Sequence, residues 1–116
     1  MRLILSFLAC FPCVLSAEEW AVLERDAVLN RDEAVQATEG QVLTYYDNGQ
    51  SSYAAGGAYS YTYDGGGTAF GTFTIDEAGV ICVSFRNGRS RCDKLVRNDG
   101  RLILLTEKGE RFPVRP

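Results

Sequence analysis

Gly79-Val80-Ile81-Cys82-Val83-Ser84-Phe85-Arg86-Asn87-Gly88-Arg89-Ser90-Arg91-Cys92-Asp93 is the stretch that decides the fold. In its first arm Ile81, Val83 and Phe85 alternate with Val80, Cys82 and Ser84, the period of two of a half-buried β-strand. Asn87-Gly88 supplies residues that tolerate positive φ, as tight hairpin turns require. Two registers compete. A two-residue turn at Asn87-Gly88 sets Val83 opposite Cys92 and Cys82 opposite Asp93, so the sulfurs do not meet. A three-residue loop, Arg86-Asn87-Gly88 with Gly88 left-handed, makes Cys82 and Cys92 direct partners. A non-hydrogen-bonded pair brings Cα atoms to about 4.5 Å, near the lower limit for a disulfide. The sulfur pairing therefore predicts the three-residue loop. Closing this ring contributes about 3 kcal/mol in the loop-entropy picture, a large share of the roughly 5–10 kcal/mol that holds such a domain together.

Whether those thiols oxidise depends on the compartment. Residues 1–17 carry one positive charge, Arg2, then an uncharged apolar run from Leu3 to Leu15, then Ser16-Ala17 ahead of Glu18-Glu19. That order is expected of a secretory signal peptide, and the run is shorter than the ~20 residues a membrane span needs. Cys10 raises a rival, a lipid-anchored N-terminus, but Phe7-Leu8-Ala9 before it fits an acylation signal poorly. With cleavage near Ala17, Cys10 and Cys13 leave, and Cys82 and Cys92 reach an oxidising periplasmic or extracellular space.

Downstream of residue 17 the spacing predicts an N-terminal segment over 18–40 and a disulfide-pinned β domain over 41–116. Asn30-Arg31-Asp32-Glu33 fits a capping box, and Gly40 fits a stop signal, so a short helix is expected over about 31–38. Trp20 and Leu23 are expected to dock a preceding turn or strand on the domain. From Gln41 onward, short apolar or aromatic runs alternate with Gly, Asn and Asp clusters. The expected strands are 41–46, 58–63, 68–75, 79–85, 90–97, 101–106 and 111–115. In 101–106, Leu102, Leu104 and Thr106 oppose Ile103 and Leu105, so both faces should be covered. Phe70 and Phe73 fall on opposite parities around Gly71, which suggests a bulge or bend. Connections this short join antiparallel neighbours. The fold class is mainly β: a small antiparallel meander forming a barrel or a two-layer sandwich, with a short N-terminal helix.

Composition narrows the chemistry. The chain has no histidine, which removes Ser-His and Cys-His catalysis and the commonest zinc ligand. Cys82 and Cys92 lack redox or zinc spacing, and Asp64-Gly65-Gly66-Gly67 lacks the alternating oxygens of a calcium loop. No catalytic residue, metal ligand or cofactor motif is legible, and the carboxylates give no recognisable catalytic pair. Two features remain. Tyr59, Tyr61 and Tyr63 share one face of one strand at period two, with Tyr45, Tyr46 and Tyr53 nearby. They fit the amphipathic edge of a core or a platform for a sugar, peptide or protein. Charge also divides along the chain: residues 18–79 are acidic and residues 80–116 basic. Arg86, Arg89 and Arg91 could form a basic surface, or the two halves could complement each other in the fold. An acidic balance overall and export both argue against nucleic acid.

Gly79-Val80-Ile81-Cys82-Val83-Ser84-Phe85, Asn87-Gly88, Arg91-Cys92-Asp93 and Gly109-Glu110-Arg111-Phe112-Pro113 resemble a group of small exported proteobacterial proteins of unknown function. The resemblance spans about 30–116. It implies a compact β domain with a Cys-containing hairpin, and it supplies no catalytic residues. The expected function is a non-enzymatic binding or envelope-associated module, contacting an envelope protein or a glycan through Tyr59, Tyr61 and Tyr63 or through Arg86, Arg89 and Arg91. The alternatives are an inhibitor of an envelope-targeting lysozyme or protease, acting through the Arg86–Arg89 loop, and an unrecognised hydrolase. No transmembrane segment is expected, and the oligomeric state is not legible.

Overall fold

A computed structural model describes residues 20–116; the expected signal peptide, with Cys10 and Cys13, lies outside the described residues. The chain runs β1 (Ala27–Val28), α1 (Arg31–Thr38), β2 (Gln41–Thr44), β3 (Gln50–Tyr53), β4 (Ala58–Thr62), β5 (Thr68–Ile75), β6 (Ile81–Phe85), β7 (Ser90–Asn98), β8 (Arg101–Thr106) and β9 (Arg111–Pro113). Strands β2 to β9 pair with their sequence neighbours, all antiparallel.

The hairpin loop reasoned out for Asn87-Gly88 is the loop of almost the whole sheet. Phe85 N–H donates to the Arg89 carbonyl (2.8 Å) and Gly88 N–H to the Phe85 carbonyl (3.0 Å). The same two bonds recur at Tyr45/Gly49, Ala54/Ala58, Tyr63/Gly67, Asp76/Val80 and Thr106/Glu110. In each, the last loop residue is left-handed: Asn48, Gly57, Gly66, Gly79, Gly88 and Gly109 have φ between 72° and 101°. The β7–β8 turn differs, with Asp99 and Gly100 both at positive φ in a two-residue loop. A left-handed bulge residue next to a hairpin increases local right-handed twist. Repeated along a meander, it rolls the sheet up.

The roll continues until the outer strands touch. Tyr45 bridges Val114, and Arg115 N–H donates to the Thr44 carbonyl (2.7 Å). The architecture is one curled half-barrel sheet, and the sandwich alternative falls. Its concave core holds Leu43, Tyr45, Tyr53, Tyr59, Phe73, Ile81, Val83, Leu95 and Leu104.

α1 packs against β2 and β5 and adds Ala34 to the core, with Leu29 just before it. Asn30 Oδ1 accepts from Glu33 N–H and Glu33 Oε1 from Asn30 N–H, both at 2.9 Å, which is the expected capping box. Thr38, fully buried one turn beyond Ala34, donates to the Ala34 carbonyl (2.7 Å).

The strands of 68–75 and 101–106 have the expected bounds. Three readings need correction. First, β5 contains no bulge: its ladders to β4 and β6 keep constant register through Gly71. Phe70 faces outward and exposed while Phe73 is buried. Gly71 is needed because a Cβ there would strike the Ser84 carbonyl of β6. Second, β3 was not expected, since Gln50-Ser51-Ser52-Tyr53 shows no apolar alternation. Third, Leu23 is exposed, and Trp20 alone packs, on the outer cluster of Val96, Ile103 and Leu105. That cluster covers the second face of β8, as expected, and Lys94 Nζ lies 5.0 Å from the indole centre.

The N-terminal segment is tied to the sheet. β1 pairs with β7 at Ala27↔Arg97 and Val28↔Val96, beyond the point where β6 ends at Ile81↔Asp93. The fully buried Asp26 carboxylate binds both Arg111 Nη atoms (2.6 and 3.1 Å), Leu23 N–H (2.7 Å) and Asn98 Nδ2 (2.8 Å). Hydrogen bonds from Arg111 above all hold its pKa far below the usual carboxylate range. Arg111 also donates to the Ala21 carbonyl (2.7 Å).

Cys82 and Cys92 are direct partners and bonded, with Cα atoms 4.0 Å apart. The Cys92 N–H points away from β6 to Glu107 Oε1 (3.0 Å), as a non-hydrogen-bonded pair requires.

Two measurements check these links. Replacing both cysteines by serine should lower unfolding free energy in urea by about 3 kcal/mol; an unchanged midpoint counts against a stabilising bond. Asp26→Ala should free the N-terminal segment, shifting the emission of the sole tryptophan, Trp20, to the red while the β circular dichroism persists. An unshifted spectrum contradicts the tie.

Candidate functional site

Hairpin tips of β2–β3, β4–β5 and β8–β9, with the start of β7, surround a recess of about 410 Å³. Its wall includes Tyr45, Tyr61, Tyr63, Arg91, Leu104 and Phe112, and its rim includes Asp47, Glu107, Lys108 and Glu110. α1 and the Gly79 turn lie together away from it: a Cβ on Gly79 would meet Leu29 and Asn30 at the helix start.

The back of the recess is built on Arg91. It pairs with Val83 on the concave face, and period two puts Asp93 on the same face of β7. Arg91 Nε donates to Asp93 Oδ2 (3.1 Å), and Nη2 donates to Tyr59 Oη (2.9 Å). From Tyr59 the chain continues through Ser51 Oγ (2.8 Å) to Tyr45 Oη (3.0 Å). The guanidinium also lies within 6.0 Å of the ring centres of Tyr59, Tyr61 and Phe85, inside cation–π range. Nη1 makes no hydrogen bond to the described residues, and the side chain is about one-third exposed.

Ser51 explains why β3 escapes a hydrophobic pattern. Its fully buried hydroxyl links two core tyrosines, a polar contact where alternation calls for an apolar side chain.

Asp93 is fully buried. Burial pushes its carboxyl up to about 6, against the opposing pull of the Arg91 charge and hydrogen bond, with Glu107 adding to the rise. Burial likewise disfavours the Arg91 charge, but there Asp93 outweighs it, and the guanidinium stays firmly charged. Desolvation wins at the deeper partner because its second oxygen has no compensation: among the described residues Asp93 Oδ1 has no hydrogen-bond partner, and neither does the buried Tyr53 hydroxyl. Burial, first of all, raises Tyr45, Tyr53, Tyr59 and Tyr61, so these hydroxyls stay neutral.

The two candidate clusters are redistributed. Tyr59, Tyr61 and Tyr63 do share a face, but at graded depth. Tyr59 is core, Tyr61 is half-buried and Tyr63 is exposed, and the last two meet edge-to-face at 4.9 Å. Arg91 turns into the curl, while Arg86 stacks on Phe70 of the convex face at 5.0 Å and Arg89 is exposed at the hairpin end. Sequence reasoning missed Asp93, Ser51, Phe112 and the rim acids. Only Asp93 had a signal, its spacing of two from Arg91. No group of three or more potential metal ligands occurs among the described residues.

No family model, curated protein or solved structure matches the chain.

Asp93 gives a signed prediction. Its folded value lies above the ordinary 3.8, so the folded state takes up the proton first. Stability should fall as pH rises from about 4 to 6, by roughly 3 kcal/mol for a shift of this size, and level off above. Asp93→Asn should flatten that slope in urea unfolding measured across pH. Equal slopes in both proteins contradict the assignment.

Proposed function

We propose that the protein is an exported, non-enzymatic binding module whose ligand sits in the recess between the hairpin tips. The observation that carries this is the state of Arg91. Its Nε and Nη2 are fixed by Asp93 and Tyr59, while Nη1 makes no hydrogen bond to the described residues, and Arg91 lines the recess together with Tyr61, Tyr63 and Phe112. A pre-oriented charged donor among aromatic walls is the usual composition of a ligand pocket, and the volume lies in the usual range. A disulfide persists in oxidising compartments, which supports the exported address. Among the described residues no helix is long and apolar enough to cross a membrane. The resemblance to small exported proteobacterial proteins belongs to the same proposal. Glu107 Oε1 accepts from Cys92 N–H and Glu110 Oε1 from Thr106 Oγ1, which fixes both carboxylates at the rim.

A second reading, inhibition of an envelope-targeting hydrolase, draws on the Arg86–Arg89 loop. That loop is exposed, braced by Asn87 Oδ1 accepting from Arg89 N–H (2.9 Å), and stiffened below by the disulfide. It predicts slowed lysozyme or protease turnover that Arg89→Ala relieves.

The binding reading is tested by titrating the isotope-labelled protein with soluble envelope fragments, both oligosaccharides and short peptides. Shifts should cluster at Tyr61, Tyr63, Arg91 and Phe112, and Tyr61→Ala should remove them. Shifts confined to the Arg86–Arg89 loop, or none across the panel, contradict it.

A further inference from the structure

The rim of the recess repeats the pattern of Arg91. Three carboxylates each spend one oxygen on the protein. Asp47 Oδ1 accepts from Gly49 N–H (2.8 Å), Glu107 Oε1 from Cys92 N–H (3.0 Å) and Glu110 Oε1 from Thr106 Oγ1 (2.9 Å). The second oxygen of each makes no hydrogen bond to the described residues. Each carboxylate is thus anchored at one end with an acceptor to spare, and Arg91 is anchored through two nitrogens with a donor to spare. Lys108 adds a further cation to the rim.

Charge then discriminates between ligand classes. An anion entering the recess meets Asp47, Glu107 and Glu110. A cation meets Arg91 and Lys108, and the aromatic faces best placed to receive it already hold the Arg91 guanidinium, 5.7 Å from the Tyr61 centre. An uncharged polyol meets neither repulsion. Its hydroxyls donate to the spare carboxylate oxygens and accept from Arg91 Nη1, which are charge-assisted bonds at both ends. The aromatic walls add shape. Tyr61 and Tyr63 stand edge-to-face, as do Tyr45 and Phe112 at 6.4 Å. The negative faces of such rings attract the weakly positive C–H face of a saturated sugar ring.

The backbone argues against a peptide laid on as an extra strand. At this end β2 and β9 are bridged by Tyr45 and Val114, and Arg115 N–H already occupies the Thr44 carbonyl. Strand addition needs an open edge of unpaired main chain, so recognition in the recess falls to side chains.

We infer that the recess binds an uncharged pyranose unit of a glycan, its C–H face against the exposed ring of Tyr63 with Tyr61 at its edge, and its hydroxyls shared between Arg91 Nη1 and the second oxygens of Glu107, Glu110 and Asp47. The inference rests on the binding-module reading above and supplies its ligand class.

The test is a titration of the full exported chain, followed by two-dimensional NMR, with four probes: a neutral disaccharide series, a uronic acid, an amino sugar and short neutral peptides. Neutral disaccharides should bind with millimolar affinity or better and shift Tyr61, Tyr63 and Phe112, while the uronic acid and amino sugar bind at least about tenfold more weakly. Tyr63→Ala, at an exposed position where folding is not at stake, should weaken neutral-sugar binding about tenfold, and Glu110→Gln should weaken it by a smaller factor. Peptides or charged sugars alone shifting the same residues would overturn the sugar assignment and leave the binding module standing. Silence of the recess toward all four probes would overturn both.

Discussion

Arg91 is the side chain on which inside and outside of this protein both depend. It projects into the concave face of the curled sheet, where a lone cation would be prohibitively costly to bury. It is tolerated there because Asp93 lies two residues on, on the same face, and because Tyr59 accepts its second nitrogen. The hydrogen-bonded chain from Tyr59 through Ser51 to Tyr45 then runs from β4 across β3 to the residue just after β2. One ion pair on β7 thereby sets polar contacts across the concave wall. Its cost is visible in two buried atoms, Asp93 Oδ1 and the Tyr53 hydroxyl, which have no hydrogen-bond partner among the described residues.

The frame around this network follows from one repeated local choice. Asn or Gly at the third loop position gives six hairpins the same left-handed residue. Each adds twist, and the summed twist brings the first and last strands together at Tyr45 and Val114. Rolling the sheet gathers Tyr45, Tyr53 and Tyr59 into its buried core. α1 and the Asp26–Arg111 tie secure the N-terminal segment to the finished curl.

Elements that sequence chemistry specifies alone were legible. Asn30 and Glu33 marked the helix start, and the two cysteines selected the Arg86–Gly88 loop and the register of β6 on β7. What escaped depends on partners distant in the chain. β3 is polar because Ser51 serves Tyr59 of β4 and Tyr45 at the end of β2. Phe70 and Phe73 needed no bulge, since the convex face simply leaves Phe70 in solvent under Arg86. The candidate site was half legible. Period two placed three tyrosines on one face, but nothing local showed Tyr59 sinking into the core or Arg91 turning away from Arg86 and Arg89.

Pinning of Arg91 is the claim most directly open to measurement, through the side-chain N–H signals of arginine in isotope-labelled protein at neutral pH. A guanidinium held by Asp93 and Tyr59 should give a resolved, slowly exchanging Nε–H for Arg91, with restricted rotation of its Nη groups, distinct from the averaged signals of Arg86 and Arg89. An Arg91 signal that exchanges and averages like those exposed arginines would contradict it.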